Sequence, residues 1–133
     1  MIDYLKFTAC LLLLYSLNPL SAIAQFSEIA QLNASDGATG DRFGFSVAIS
    51  GDTAVIGAVT DDDFGDESGT AYVFARNPQG GWEQVAKLTA DDGAEGASFG
   101  TSVAISDDTI VIGAIGTDDG AVDTGSALSL IHI

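Results

Sequence analysis

The decapeptide TDDDFGDESG at residues 60–69 gathers Asp61, Asp62, Asp63, Asp66 and Glu67 into one stretch. A second acidic stretch, GTDDGAVDTG, stands 56 residues later at 116–125. Oxygen-rich loops of this composition are what a hard cation such as calcium requires. The spacing is wrong for the alternate-acid calcium loop, because Gly65 stands where the third acid belongs. Paired carboxylates such as Asp62 and Asp63 suit glycoside hydrolysis in principle, but nothing in the sequence buries them or fixes their separation. The single histidine is His132 and the single cysteine Cys10, so neither a Ser-His-Asp nor a Cys-His set can be assembled. The expectation is a non-catalytic chain without catalytic, cofactor-binding or metal-ligating residues. On this reading calcium is the cofactor its loops come nearest to, and the carboxylates form a solvated rim that discourages edge pairing.

The elements that would position these loops begin after residue 24. Lys6 opens a weakly basic start, residues 7–17 form an apolar run of signal-peptide length, and Ala22-Ile23-Ala24 supplies a small-x-small cleavage pattern. Residues 1–24 are therefore expected to be a signal peptide cut before Gln25, and the chain to be secreted or displayed at a cell surface. The apolar run is too short to span a bilayer. The remaining 109 residues hold 18 acidic side chains against Arg42, Arg76 and Lys87, a net charge of −15. Such a surface repels nucleic acid and anionic lipid and admits cations and basic protein surfaces. Removing the leader removes Cys10, so the exported domain must stand on its core without a disulfide.

That core is written twice. Residues 32–71 and 88–127 align without a gap at an offset of 56, with 23 identities in 40 positions. Each copy carries strand-like runs between turn signals: 43–50 and 53–59 around the two-residue turn Gly51-Asp52, then 69–76, then 82–90 beyond the breaker-rich loop 77–81. The runs SVAIS and AVIGA are apolar or small on both faces, as strands covered on two sides require. The predicted fold is all-β, with four-stranded antiparallel blades of a β-propeller, about two of them present in an incomplete ring. A β-sandwich is the structural alternative. The sequence units are 25–81 and 82–127.

These copies resemble the FG-GAP repeat of integrin alpha heads and of many exported proteins. Phe43-Gly44 with Gly57-Ala58, and Phe99-Gly100 with Gly113-Ala114, carry the resemblance. Val59 and Ile115 stand where the family name expects proline. The resemblance implies propeller blades, typically seven to a ring, and a recognition or adhesion surface for a protein or glycan ligand. The alternative is a scaffold segment of a larger exported protein. In integrin-type repeats the calcium loop lies between the FG and GA strands, an interval closed here by Gly51-Asp52. The eight motif residues are expected to pack rather than to touch ligand, Phe43 and Phe99 as wedges between blades. Asn33-Ala34-Ser35 is a sequon, an acceptor in a host that glycosylates exported chains. The last hexapeptide, LSLIHI at 128–133, abandons the repeat. It reads as a non-native tail on a chain expected to continue through further blades, with a terminal third strand as the other reading.

Overall fold

The computed structural model describes residues 27–91, 93–116 and 125–131. The signal-peptide region, Gln25, Cys10, most of the second acidic stretch and His132 lie outside the described residues. Runs of Val, Ile and Ala separated by turn-forming Gly and Asp give seven strands: β1 (Phe43–Ser50), β2 (Thr53–Ala58), β3 (Thr70–Arg76), β4 (Trp82–Leu88), β5 (Phe99–Ser106), β6 (Thr109–Ala114) and β7 (Ser126–Ile131). Among the described residues no helix is long and apolar enough to cross a membrane.

Two antiparallel sheets result, one of order β1-β2-β3-β4 and one of order β5-β6-β7, consistent with two blades of an unclosed ring. β1 has its predicted bounds. β2 ends at Ala58 rather than Val59, because the Ala58 carbonyl accepts the Asp61 amide at 3.3 Å and turns the chain. β4 stops at Leu88 rather than Ala90, whose carbonyl accepts the Gly93 amide at 3.0 Å. Each Phe-Gly step bulges: Phe43 pairs with Ala58 and the next pairing is Ser46 with Gly57, and Phe99 and Ser102 repeat this against Ala114 and Gly113. Gly44 at φ 91° and Gly100 at φ 87° supply the left-handed conformation the bulge needs.

Sequence repeat and sheet are out of phase. β4, which opens the second sequence unit, closes the first sheet by pairing with β3. Its counterpart in the first unit, residues 27–32, forms no strand. Residues 128–131, expected as part of a non-native tail or as a third strand, lie in a strand. β7 pairs with β6 through Ala114 with Ser126 and Ile112 with Leu128, the register in which Ala58 meets Thr70 and Ile56 meets Tyr72 on β2 and β3. Leu128 is half-buried and Ser129 exposed.

The main core lies between the sheets. Val55, Ala71 and Val73 of the first sheet meet Phe99, Ile110, Ile112 and Ala114 of the second, with Ala90 beside them. The opposite face of the first sheet carries Ala54, Ile56, Ala58, Tyr72 and Phe74 under Leu32, Ala34, Phe43 and Trp82. Burial on both faces, expected of every long strand, holds for β2 and the first five residues of β3. β1 and β5 alternate instead, with Val47 and Ile49 exposed on one, and Ser102 and Ala104 on the other. Each of those two strands lies at the edge of its sheet, where less of the neighbouring unit covers it.

Candidate functional site

The acidic loop between β2 and β3 folds on its own first carboxylate. The Asp61 carbonyl accepts the Gly69 amide at 3.0 Å and the Ser68 hydroxyl at 3.2 Å, while Asp61 Oδ1 accepts the Asp63 amide at 3.2 Å. Asp62 Oδ1 accepts the Glu67 amide at 2.8 Å. The far side of the loop is tied to the second unit: the carbonyls of Asp66, Glu67 and Ser68 accept the amides of Gly96, Ser98 and Phe99 at 2.8, 3.0 and 2.9 Å. Held from both sides, this loop has a defined backbone although Asp62, Asp63, Asp66 and Glu67 reach solvent.

The expected solvated rim is corrected at Asp61, which is 3% exposed. Three neighbours make its burial tolerable. The Tyr72 hydroxyl donates to Asp61 Oδ2 at 2.8 Å and lies 2.9 Å from Asp36 Oδ1. Lys87 Nζ lies 3.3 Å from Asp61 Oδ2 and 2.7 Å from Asp36 Oδ2, and it also donates to Asp63. Tyr72 and Lys87 are direct cross-strand partners on β3 and β4, so the sheet register brings phenol and ammonium to one spot. Burial and then the Asp61 carboxylate push the Tyr72 phenol above its ordinary range. Burial pulls the Lys87 ammonium down, but its hydrogen bonds to Asp36 and Asp63 outweigh that and its pKa is raised. The hydrogen bond from Lys87 holds Asp36 below the ordinary carboxylate value, against the smaller opposing effect of desolvation.

This arrangement is an ion-pair cluster in which one lysine bridges three carboxylates. Among the described residues no group of three or more His, Cys, Asp or Glu side chains is placed to hold a metal ion. The remaining loop carboxylates, Asp62, Asp66 and Glu67, line an open concavity with Gly40, Arg42 and Thr60. Arg42 precedes the Phe-Gly bulge with φ 53°, a left-handed conformation repeated at Ser98, so the bulge geometry brings its backbone to this edge.

The motif residues lie elsewhere, on the packing surfaces. Phe99 is fully buried between the sheets. Phe43 packs edge-on against Tyr72 and Phe74, with ring centroids 5.5 and 6.1 Å apart. Ala58 and Ala114 are buried. Gly57 and Gly100 touch across the seam: a Cβ on Gly57 would strike the Gly100 carbonyl, and one on Gly100 would strike the Thr70 carbonyl. The Ser46 hydroxyl bridges the same seam to the Gly100 carbonyl at 2.7 Å. Gly44 is exposed, and at Gly113 an added Cβ would meet the Ser102 side chain. Asn33 is exposed, and the amide of Ser35 in its sequon donates to Gln84 Oε1 at 2.9 Å.

Sequence reasoning missed Asp36, Tyr72 and Lys87 as a group. One signal could have found part of it: Asp61 and Tyr72 diverge together in the second copy, to Thr117 and Leu128. A family model described as FG-GAP repeat matches residues 26–74 and 82–128. No curated protein matches the chain.

Proposed function

The chain belongs to the FG-GAP repeat family, and from that premise we propose that it is a non-catalytic, extracellular binding module whose acidic loop edge recognises a basic protein surface. The observation that carries the reading is the division of labour among the loop carboxylates. Asp61 and Asp63 are taken up by Lys87, whereas Asp62, Asp66 and Glu67 open onto one concavity. Backbone bonds on both sides of the loop fix it in advance, which reduces the ordering cost of binding. A net charge of −15 favours approach of a cationic partner. The leader pattern of residues 1–24 supports export.

Binding to an immobilised polylysine peptide tests the reading, with two variants of equal charge change. Asp62→Asn with Asp66→Asn is expected to weaken binding about tenfold. Asp107→Asn with Asp108→Asn, in the β5–β6 turn, is expected to leave it within about twofold. Equal losses from both would mean that bulk charge alone attracts the peptide, and the loop would not be a recognition edge.

A further inference from the structure

We propose that Asn33 is a glycan acceptor, its side-chain amide taking an N-linked oligosaccharide as the chain is exported. The inference rests on the export half of the reading above and is independent of the acidic edge.

Of the three asparagines in the chain, Asn18 and Asn77 are each followed by proline, which blocks transfer, and Asn33 alone opens an Asn-x-Ser triplet, Asn33-Ala34-Ser35. The fold puts that triplet where an acceptor must lie. Leu32 and Ala34 pack against the outer core of the first sheet, and Asn33 between them is exposed. A turn follows at Ser35 and Asp36. The segment is held in place there, because the Ser35 amide donates to Gln84 Oε1 at 2.9 Å and Asp36 accepts from both Tyr72 and Lys87. Among the described residues the Asn33 side chain makes no hydrogen bond, so a sugar on it displaces no contact of the fold.

The second copy shows what a neighbouring unit leaves open at this position. Thr89 holds the place of Asn33, and Leu88 and Ala90 those of Leu32 and Ala34. Leu88 and Ala90 belong to the core between the two sheets, yet Thr89 is only half-buried. A unit stacked against the first sheet would therefore still leave position 33 in reach of solvent. The second copy carries no acceptor of its own, since Thr89-Ala90-Asp91 replaces the triplet, and the modification distinguishes one unit from the other.

The co-reactant is a lipid-linked oligosaccharide diphosphate. The Asn33 amide nitrogen attacks the anomeric carbon, the new N–C bond forms as the C–O bond to the diphosphate breaks, the nitrogen gives up a proton, and the lipid diphosphate leaves. No electrons are gained or lost. The product carries a bulky, solubilising group at the surface.

Expression of the full chain in a eukaryotic secretory cell line tests this, with peptide N-glycosidase digestion and mass spectrometry of the peptide around residue 33. Secreted and cell-retained material are both read, because transfer takes place in the lumen. Wild type is expected to carry one glycan at Asn33, removed by the enzyme. Asn33→Gln and Ser35→Ala should each lose it and Ser35→Thr keep it, all with the wild-type β circular dichroism spectrum. The two losses test one triplet from both ends, so misfolding of one variant leaves the other to decide. A second version, with residues 1–24 replaced by a leader of proven export, separates the two readings. Modification of Asn33 in that version alone would remove the export signal of residues 1–24 and uphold the acceptor. An unmodified Asn33 in that version, or a glycan that survives Asn33→Gln, would overturn the proposal.

Discussion

Phe43 and Phe99 hold the same place in two copies of one sequence unit, yet they meet different surroundings. Phe99 is enclosed between two sheets, while Phe43 is part of a face with aromatic neighbours on one side. The acidic loops diverge in the opposite sense. The first copy builds a buried Asp61 with Tyr72 and Lys87 around it, and the second has Thr117 and Leu128 at the matching positions. Motif residues therefore set the shape of the unit, and position in the stack sets how much each contributes. Polar clusters are added where one copy can afford them.

The largest expected effect separates the two phenylalanines. Phe99→Ala should cost about 3–5 kcal/mol, because it leaves a cavity between the sheets. Phe43→Ala should cost about 1–2 kcal/mol, since its ring is only partly withdrawn from water. Urea denaturation midpoints measure both, and equal losses would break the distinction between an enclosed and an open copy of the motif.

Next in size is the ion-pair cluster of the first copy. Lys87→Met leaves the buried Asp61 carboxylate with only the Tyr72 hydroxyl and the Asp63 amide and without an opposite charge, a loss of about 2–3 kcal/mol after allowance for the partial exposure of Lys87. Its pH dependence has a definite sign. Asp36 has a depressed folded pKa, so its contribution is present above about pH 4 and lost as pH falls through the folded value. Lys87 and Tyr72 have raised folded pKa values, so theirs are complete below about pH 10 and lost as pH rises beyond it. Stability should thus be flat between about pH 5 and 9 and fall on both sides. Lys87→Met should shallow the acid limb; an acid limb unchanged in that variant would show that Asp36 does not depend on Lys87.

The smallest effect compares the two hairpin turns. Gly51 and Asp107 occupy the same turn position with φ 55° and 48°, a conformation glycine adopts freely and aspartate does not. Asp107→Gly should raise stability by about 1 kcal/mol and Gly51→Asp lower it by a similar amount. Thermal melting of the pair would sharpen the comparison, and a destabilised Asp107→Gly would mean that the aspartate side chain holds the second turn together.

Much of the fold was legible in particular residues. Gly51-Asp52 between two Val- and Ala-rich runs announced the first hairpin, and the exact offset of 56 carried the same geometry to Phe99 and Thr109. The strand through Leu128 was harder to read, because identity to the first copy is lost there, while pairing with β6 needs only backbone in register. The candidate site was less visible. Asp61 looks like its acidic neighbours in the sequence. Its burial follows from a turn off Ala58 that points it beneath the β3–β4 pair, where Tyr72 and Lys87 wait.

By itself the sequence determined the all-β units, their repeat length, the bounds of β1 to β6 to within two residues and the family, because alternation, turn residues and the Phe-Gly and Gly-Ala pairs act within one hairpin. Only the tertiary structure decided that Phe99 is enclosed while Phe43 is not, and that Lys87 bridges carboxylates up to 51 residues away. Those outcomes depend on which strand edges and sheet faces meet across long separations in the chain, and no local pattern of residue types encodes that meeting.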